Sequence, residues 1–209
     1  FGYWEWMDCG CDFSHFQLFK STIKLSFYNR RKEMTCIVGL EHGGKVYIGG
    51  DSASASGWSV DSISESKVFK NKEFIIGYTS SFRMGQLLQY SLEIPENKRE
   101  SEMEYLVKDF ITAVRTCLKD NGYAEVSSNK ESGGIFLVGY RGKLYRVSSD
   151  FQIMRYSHGY YAVGAGEEYA LGSMFSSKIK NPKDKLVFAL ETASNFCGAV
   201  VPPFVVISQ

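Results

Sequence analysis

From residue 34 onward the chain alternates short apolar runs with glycine-rich breaks, and the period of those runs assigns most of its elements. Residues 36–40 and 46–50 read as two strands. His42-Gly43-Gly44 between them is a turn that needs positive backbone angles, so the pair is a hairpin. A polar Ser, Ala and Gly loop extends to about Ser62, after which ISESKVFK and EFIIGYT form a second strand pair around a tight turn at Asn71-Lys72.

The stretch SSFRMGQLLQYSL is predicted to be helical despite Gly85, with Phe82, Leu87 and Leu88 on one side and Ser80 or Ser81 as the cap. Ser101 followed by Glu104 is a capping-box signature, and Leu106, Phe110, Val114 and Cys117 recur at helical spacing until Asn121-Gly122 stops the run. GGIFLVGY and KLYRVS flank the Arg141-Gly142 turn, and strands follow near 151–154 and 160–164. Two helices come next, at 167–177 and 182–196, the second with Asn181 as cap and Pro182 in its first turn. Pro202-Pro203 leads into a last strand, FVVIS. Antiparallel hairpins with helices gathered in runs predict an α+β layered fold rather than a doubly wound parallel sheet, with helices covering two sheet faces.

Length and charge narrow the function. At 209 residues the chain fits one domain. Its 24 Lys and Arg nearly cancel its 23 Asp and Glu and are scattered, which argues against nucleic acid or anionic lipid as a partner. The apolar runs fall far short of the roughly 20 residues of a spanning helix. Five cysteines without a disulfide framework or zinc-finger spacing point to a reducing, cytoplasmic compartment. Residues 1–33 differ in texture: they are crowded with aromatics, show no sustained period and lack the zones of a signal peptide. A pro-segment, a docking arm or upstream sequence translated in error are the readings, and the last is preferred. The expected domain is 34–209.

Candidate chemistry centres on Thr35, Asp51 and Lys67. Thr35 opens the first strand and Asp51 closes the second of the same hairpin, so the turn returns Asp51 to the neighbourhood of Thr35. Lys67 reaches both if its strand adds alongside. A threonine hydroxyl is a weak nucleophile unless a base takes its proton, and a free α-amino group on the same residue is a base always within reach. Such chemistry requires Thr35 to become the first residue. A nearby lysine lowers the proton affinity of the amine and hydroxyl, while the aspartate orients and balances the lysine. Cys36 reads as a buried strand residue, or as the nucleophile if processing removes one residue more. His15, His42 and His158 have no partner at metal or triad spacing.

These residues and their flanks resemble the proteasome β-subunit family, most closely its bacterial, HslV-type branch of the N-terminal-nucleophile hydrolases. TCIVGLEHGGKVYIGGDSAS is similar to the family's opening hairpin, SKVFK to its lysine strand, and IIGYTSSFRMGQLLQY to the strand-to-helix passage beside the site. YAVGAGEEYALGSMF resembles the glycine-rich turn into a helix, and ALETASNFCGAVVPPFVVIS the closing helix and strand. The resemblance implies a four-layer sandwich of two antiparallel sheets between two helical layers, assembled as a homo-oligomeric double ring. It implies that Thr35, Asp51 and Lys67 carry peptide-bond cleavage, with backbone N–H groups at Ser80 and Ser81 as the oxyanion hole.

By the same resemblance an ATP-dependent unfoldase ring is the expected partner, since the chain has no GxxxxGK[ST] loop of its own. No cofactor is expected for hydrolysis, and a structural monovalent or divalent cation is compatible with the family. The sequence departs from the family at three places. Thr79-Ser80-Ser81 replaces glycine at the oxyanion turn, Ala165 stands where a serine supports the threonine amine, and Asn195 stands where an aspartate is usual. Two other readings remain open: an amidase of the same class acting on a small amide, and a non-catalytic ring or scaffold subunit.

Overall fold

The computed structural model describes residues 35–56, 59–127 and 130–209. The readings of residues 1–33 lie outside the described residues. In chain order the strands are β1 (Cys36–His42), β2 (Lys45–Gly50), β3 (Ala53–Ser56), β4 (Ser59–Ser62), β5 (Val68–Asn71), β6 (Phe74–Tyr78), β7 (Glu125–Ser127), β8 (Lys130–Ser132), β9 (Phe136–Tyr140), β10 (Lys143–Val147), β11 (Ile153–Met154), β12 (Tyr160–Gly164) and β13 (Val205–Ser208). The helices are α1 (Phe82–Tyr90), α2 (Glu102–Tyr105), α3 (Ile111–Asp120), α4 (Glu167–Ser176) and α5 (Pro182–Phe196), with a π-helical turn, Leu106–Phe110, joining α2 to α3.

Two antiparallel sheets carry the fold, one ordered β12-β1-β2-β13 and the other β11-β10-β9-β6-β5. Alternation along the strands explains why they stack. In β1, Ile37 turns into the core between the sheets with Ile48, Ile75 and Leu137, while its neighbours Cys36 and Val38 turn outward to Ala170, Leu186 and Leu190. In β6, Ile75 faces the inter-sheet core, and Phe74 and Ile76 face the helices, among Leu87, Phe110 and Val114. Three cores therefore separate four layers, α4 and α5, sheet, sheet, and α1 to α3, which is the expected α-β-β-α sandwich. The layers are bound mainly by apolar burial; Phe74 alone stacks between Phe110 at 4.7 Å and Tyr140 at 4.4 Å and contributes about 2 kcal/mol.

Local chemistry sets the boundaries. The β1–β2 turn closes with His42 opposite Lys45, and both central residues, Gly43 and Gly44, have positive φ, as a two-residue hairpin turn requires. Helix α1 starts at Phe82 because the Ser81 hydroxyl accepts the Arg83 and Met84 N–H groups. Gly85 is tolerated within it because the Tyr78 ring lies where its Cβ would be. Only half of the expected capping box forms: Ser101 accepts the Glu104 N–H, but the Glu104 carboxylate is engaged by Arg99 and Lys108.

Several expectations are corrected. The 51–62 stretch is not a plain loop but contains the β3–β4 ribbon, and a second ribbon, β7–β8, was not expected. The strand carrying Lys67 begins only at Val68, and the strand near 151–154 is confined to Ile153–Met154. The sequences ASAS, SVDS, EVS and KES hold too few apolar positions to show a period.

The sheets approach closely at Gly77, where an added Cβ would lie 2.6 Å from Ile37 and 2.7 Å from Ile48 side-chain carbons. Gly77→Ala is expected to destabilise the protein by about 1–3 kcal/mol, read as a lower midpoint in denaturant unfolding; an unchanged midpoint would show that the inter-sheet core yields at this point.

Candidate active site

The site is built at the ends of strands. The register pairs Ile37 with Gly50, so Asp51 falls just past the end of β2, beside the start of β1. There its carboxylate is fixed by two backbone donors: Cys36 N–H to Oδ1 at 2.9 Å and Ala53 N–H to Oδ2 at 2.9 Å. Lys67 immediately precedes β5, and its carbonyl accepts the Tyr78 N–H at 3.1 Å, which anchors the lysine backbone to the second sheet.

From that position the Lys67 ammonium donates to Thr35 Oγ1 at 3.1 Å and to the two Asp51 oxygens at 3.1 and 3.2 Å. The expectation that the Lys67 strand adds alongside the hairpin is corrected: β5 belongs to the other sheet and the side chain crosses between sheets. The roughly 10 Å between packed sheets is a distance a lysine bridges when its partner reaches back. Thr35, Asp51 and Lys67 are 5%, 1% and 2% exposed.

Burial depresses the Lys67 ammonium pKa below that of an ordinary lysine, and the Asp51 charge and hydrogen bond restore part of it. The Phe82 ring, its centroid 5.7 Å from Lys67 Nζ, is a further neighbour that sequence reasoning assigned only to a helix face. Cys36 is fully buried on the helix-facing side of β1, and burial pushes its thiol pKa well up, which disfavours the thiolate.

Ser80 and Ser81 form the turn between β6 and α1. Ser80 has φ +70, in the left-handed region that favours glycine, and its hydroxyl accepts the Ile135 N–H at 3.1 Å. The Ser81 N–H donates to Thr79 O at 2.8 Å, whereas the Ser80 N–H has no hydrogen-bond partner among the described residues. Ala165 lies between Gly164, at φ +102, and Gly166, whose N–H donates to Thr35 O at 3.4 Å. A Cβ at Gly164 would lie 2.3 Å from the Thr35 carbonyl oxygen, so this approach requires glycine.

Asn195 is not brought to this cluster by any described contact: its side chain is exposed and donates to Glu191 O one turn back on α5. The hydroxyl of Thr79, beside Gly164, has no hydrogen-bond partner among the described residues. The sequence signal there is the polar Thr79-Ser80-Ser81 run that ends a buried strand. Among the described residues, no cluster of three or more His, Cys, Asp or Glu could hold a metal ion, and no helix is long and apolar enough to cross a membrane.

A pH dependence follows from the buried lysine. With a folded-state pKa below the unfolded one, Lys67 binds fewer protons when folded, so stability rises with pH between the two values. As pH rises toward the ordinary lysine value of about 10.4, wild type should gain stability relative to Lys67→Met in denaturant unfolding. A relative loss over that range would contradict a depressed lysine.

The sequence matches no family model and no curated protein. Solved structures do match. BPH from Thiobacillus denitrificans in complex with epoxomicin superposes with TM-score 0.68 at 18% identity, over 84% of this chain and 98% of that one. Eukaryotic HslV from Trypanosoma brucei gives 0.63 at 17%, over 83% and 98%. Anbu, an ancestral beta-subunit from Yersinia bercovieri, gives 0.59 at 12%, over 83% and 81%. The likeness is one of fold: this chain shares the fold of these BPH, HslV and Anbu structures.

Proposed function

We propose that this chain is a threonine-type endopeptidase subunit that cleaves peptide bonds with Thr35 as its first residue. The observation that carries the reading is the buried contact of Lys67 Nζ with both Thr35 Oγ1 and the Asp51 carboxylate. In this reading, cutting the Met34–Thr35 bond frees the α-amine. The amine takes the Thr35 hydroxyl proton as Oγ1 attacks a substrate carbonyl, and the tetrahedral oxyanion is met by the Ser80 N–H. The amine then returns the proton to the leaving nitrogen, and an ester between Thr35 and the acyl half remains. Water, deprotonated by the same amine, hydrolyses that ester. Lys67 holds positive charge beside the hydroxyl throughout, and Asp51 holds Lys67.

Assembly into a homo-oligomeric double ring, partnership with an ATP-dependent unfoldase ring, and a cytoplasmic location belong to the same proposal. HslV and Anbu are among the structural neighbours, and the Anbu complex of Pseudomonas aeruginosa forms a helical assembly. Phe175 and Phe196, 83% and 69% exposed on the outer helical layer, supply apolar surface that subunit contacts would cover.

The test compares peptide hydrolysis by protein with Thr35 at its N-terminus, verified by intact mass, with that of Thr35→Ala. The variant should assemble as wild type does and lose at least about a thousandfold in turnover. Equal measurable turnover would remove Thr35 from the chemistry, and no turnover in either protein would favour a scaffold role.

A further inference from the structure

Thr79 holds the one side-chain oxygen that is buried without a hydrogen-bond partner among the described residues, and the residue is 1% exposed. Its backbone is not adrift: the Thr79 N–H donates to Ile135 O at 3.1 Å, continuing the β6–β9 ladder by one residue. Alternation along β6 sends Tyr78 toward the helices and Gly77 into the inter-sheet core, and places Thr79 on the inter-sheet side again, toward the start of β1.

What the hydroxyl faces is defined by Gly164. A Cβ built on that glycine would lie 3.2 Å from Thr79 Oγ1, 2.3 Å from the Thr35 carbonyl oxygen and 2.9 Å from its carbon. The hydroxyl and the Thr35 backbone thus border the same small volume, which Gly164 leaves open. Ala165, the next residue, contributes only a methyl group to this turn. A buried hydroxyl without a partner is costly enough to need an explanation.

The chemistry at Thr35 changes when its bond to Met34 is cut. The amide nitrogen carries one hydrogen, fixed in the plane of the peptide, whereas the freed α-amine carries two, or three when protonated, and is free to rotate. We propose that the Thr79 hydroxyl accepts a hydrogen bond from the Thr35 α-amino group after that cut, making Thr79 a positioning residue for the base. The proposal rests on the reading that Thr35 becomes the first residue. It explains why an orphaned hydroxyl is kept in the interior of the uncut chain: its partner does not yet exist.

The experiment compares wild type, Thr79→Val and Thr79→Ser in protein carrying a site-specific cleavage point immediately before Thr35, studied before and after the cut with residues 1–34 left in solution. Valine replaces the hydroxyl with a methyl of similar size, so in the uncut protein Thr79→Val should keep or raise the thermal midpoint. After the cut it should lower the midpoint relative to wild type. Loss of an acceptor disfavours the ammonium form, so the acid limb of the kcat/KM profile should move to lower pH, with kcat down about five- to tenfold. Thr79→Ser should restore both properties.

An equal effect of valine on the midpoint before and after the cut, or an unmoved acid limb, would overturn the proposal. A changed preference among peptide substrates with the limb unmoved would place the hydroxyl against substrate instead, and overturn it equally. If the cut protein hydrolyses no peptide, the functional reading fails by itself, and the thermal comparison alone decides whether the hydroxyl meets the amine.

Discussion

The buried contact between Lys67 and Asp51 is the interaction around which the rest is arranged. Two opposite charges, 1% and 0% exposed in their side chains, sit 3.1 Å apart where the two sheets meet. Such a pair is tolerated only when its remaining lone pairs and protons are met. Here Asp51 accepts from the Cys36 and Ala53 backbones, and Lys67 donates its remaining reach to the Thr35 hydroxyl. The threonine is therefore part of what satisfies the lysine, and an ammonium is fixed beside the Thr35 hydroxyl at the start of β1.

The sandwich makes that arrangement available. Asp51 follows the hairpin of one sheet and Lys67 immediately precedes the edge strand of the other, so the cluster exists only when the sheets stack in this register. Small residues permit the approach: Gly77 and Gly50 leave room for Ile37 and Val68 between the sheets, and Gly164 leaves room for the Thr35 carbonyl. The site and the inter-sheet core share these contacts, which couples its geometry to the packing rather than to a mobile loop.

Much of this was legible in the sequence where local chemistry speaks. The Gly43-Gly44 turn fixed the first hairpin and with it the proximity of Thr35 and Asp51, and Ser81 and Asn181 marked helix starts that the structure reproduces. The crossing of Lys67 between sheets was not legible, because stacking is non-local and periodicity gives only which face a residue occupies. The glycine-like conformation of Ser80 was hidden by its side chain, which takes a hydrogen bond from Ile135 that no spacing rule anticipates. Thr79 was hidden for the opposite reason: a missing partner leaves no sequence pattern. The side chain of Asn195, aligned with an aspartate by resemblance, turns back to its own helix.

The central claim is that Thr35, not the neighbouring Cys36 thiol, forms the covalent bond to substrate. The most direct measurement is peptide mapping by mass after acid quench of the protein beginning at Thr35, mixed with an activated peptide ester. The account predicts an acyl group on the Thr35 hydroxyl, because Lys67 touches that oxygen whereas Cys36 is buried on the other face of β1 with its pKa raised. An acyl group mapped to Cys36 would contradict it.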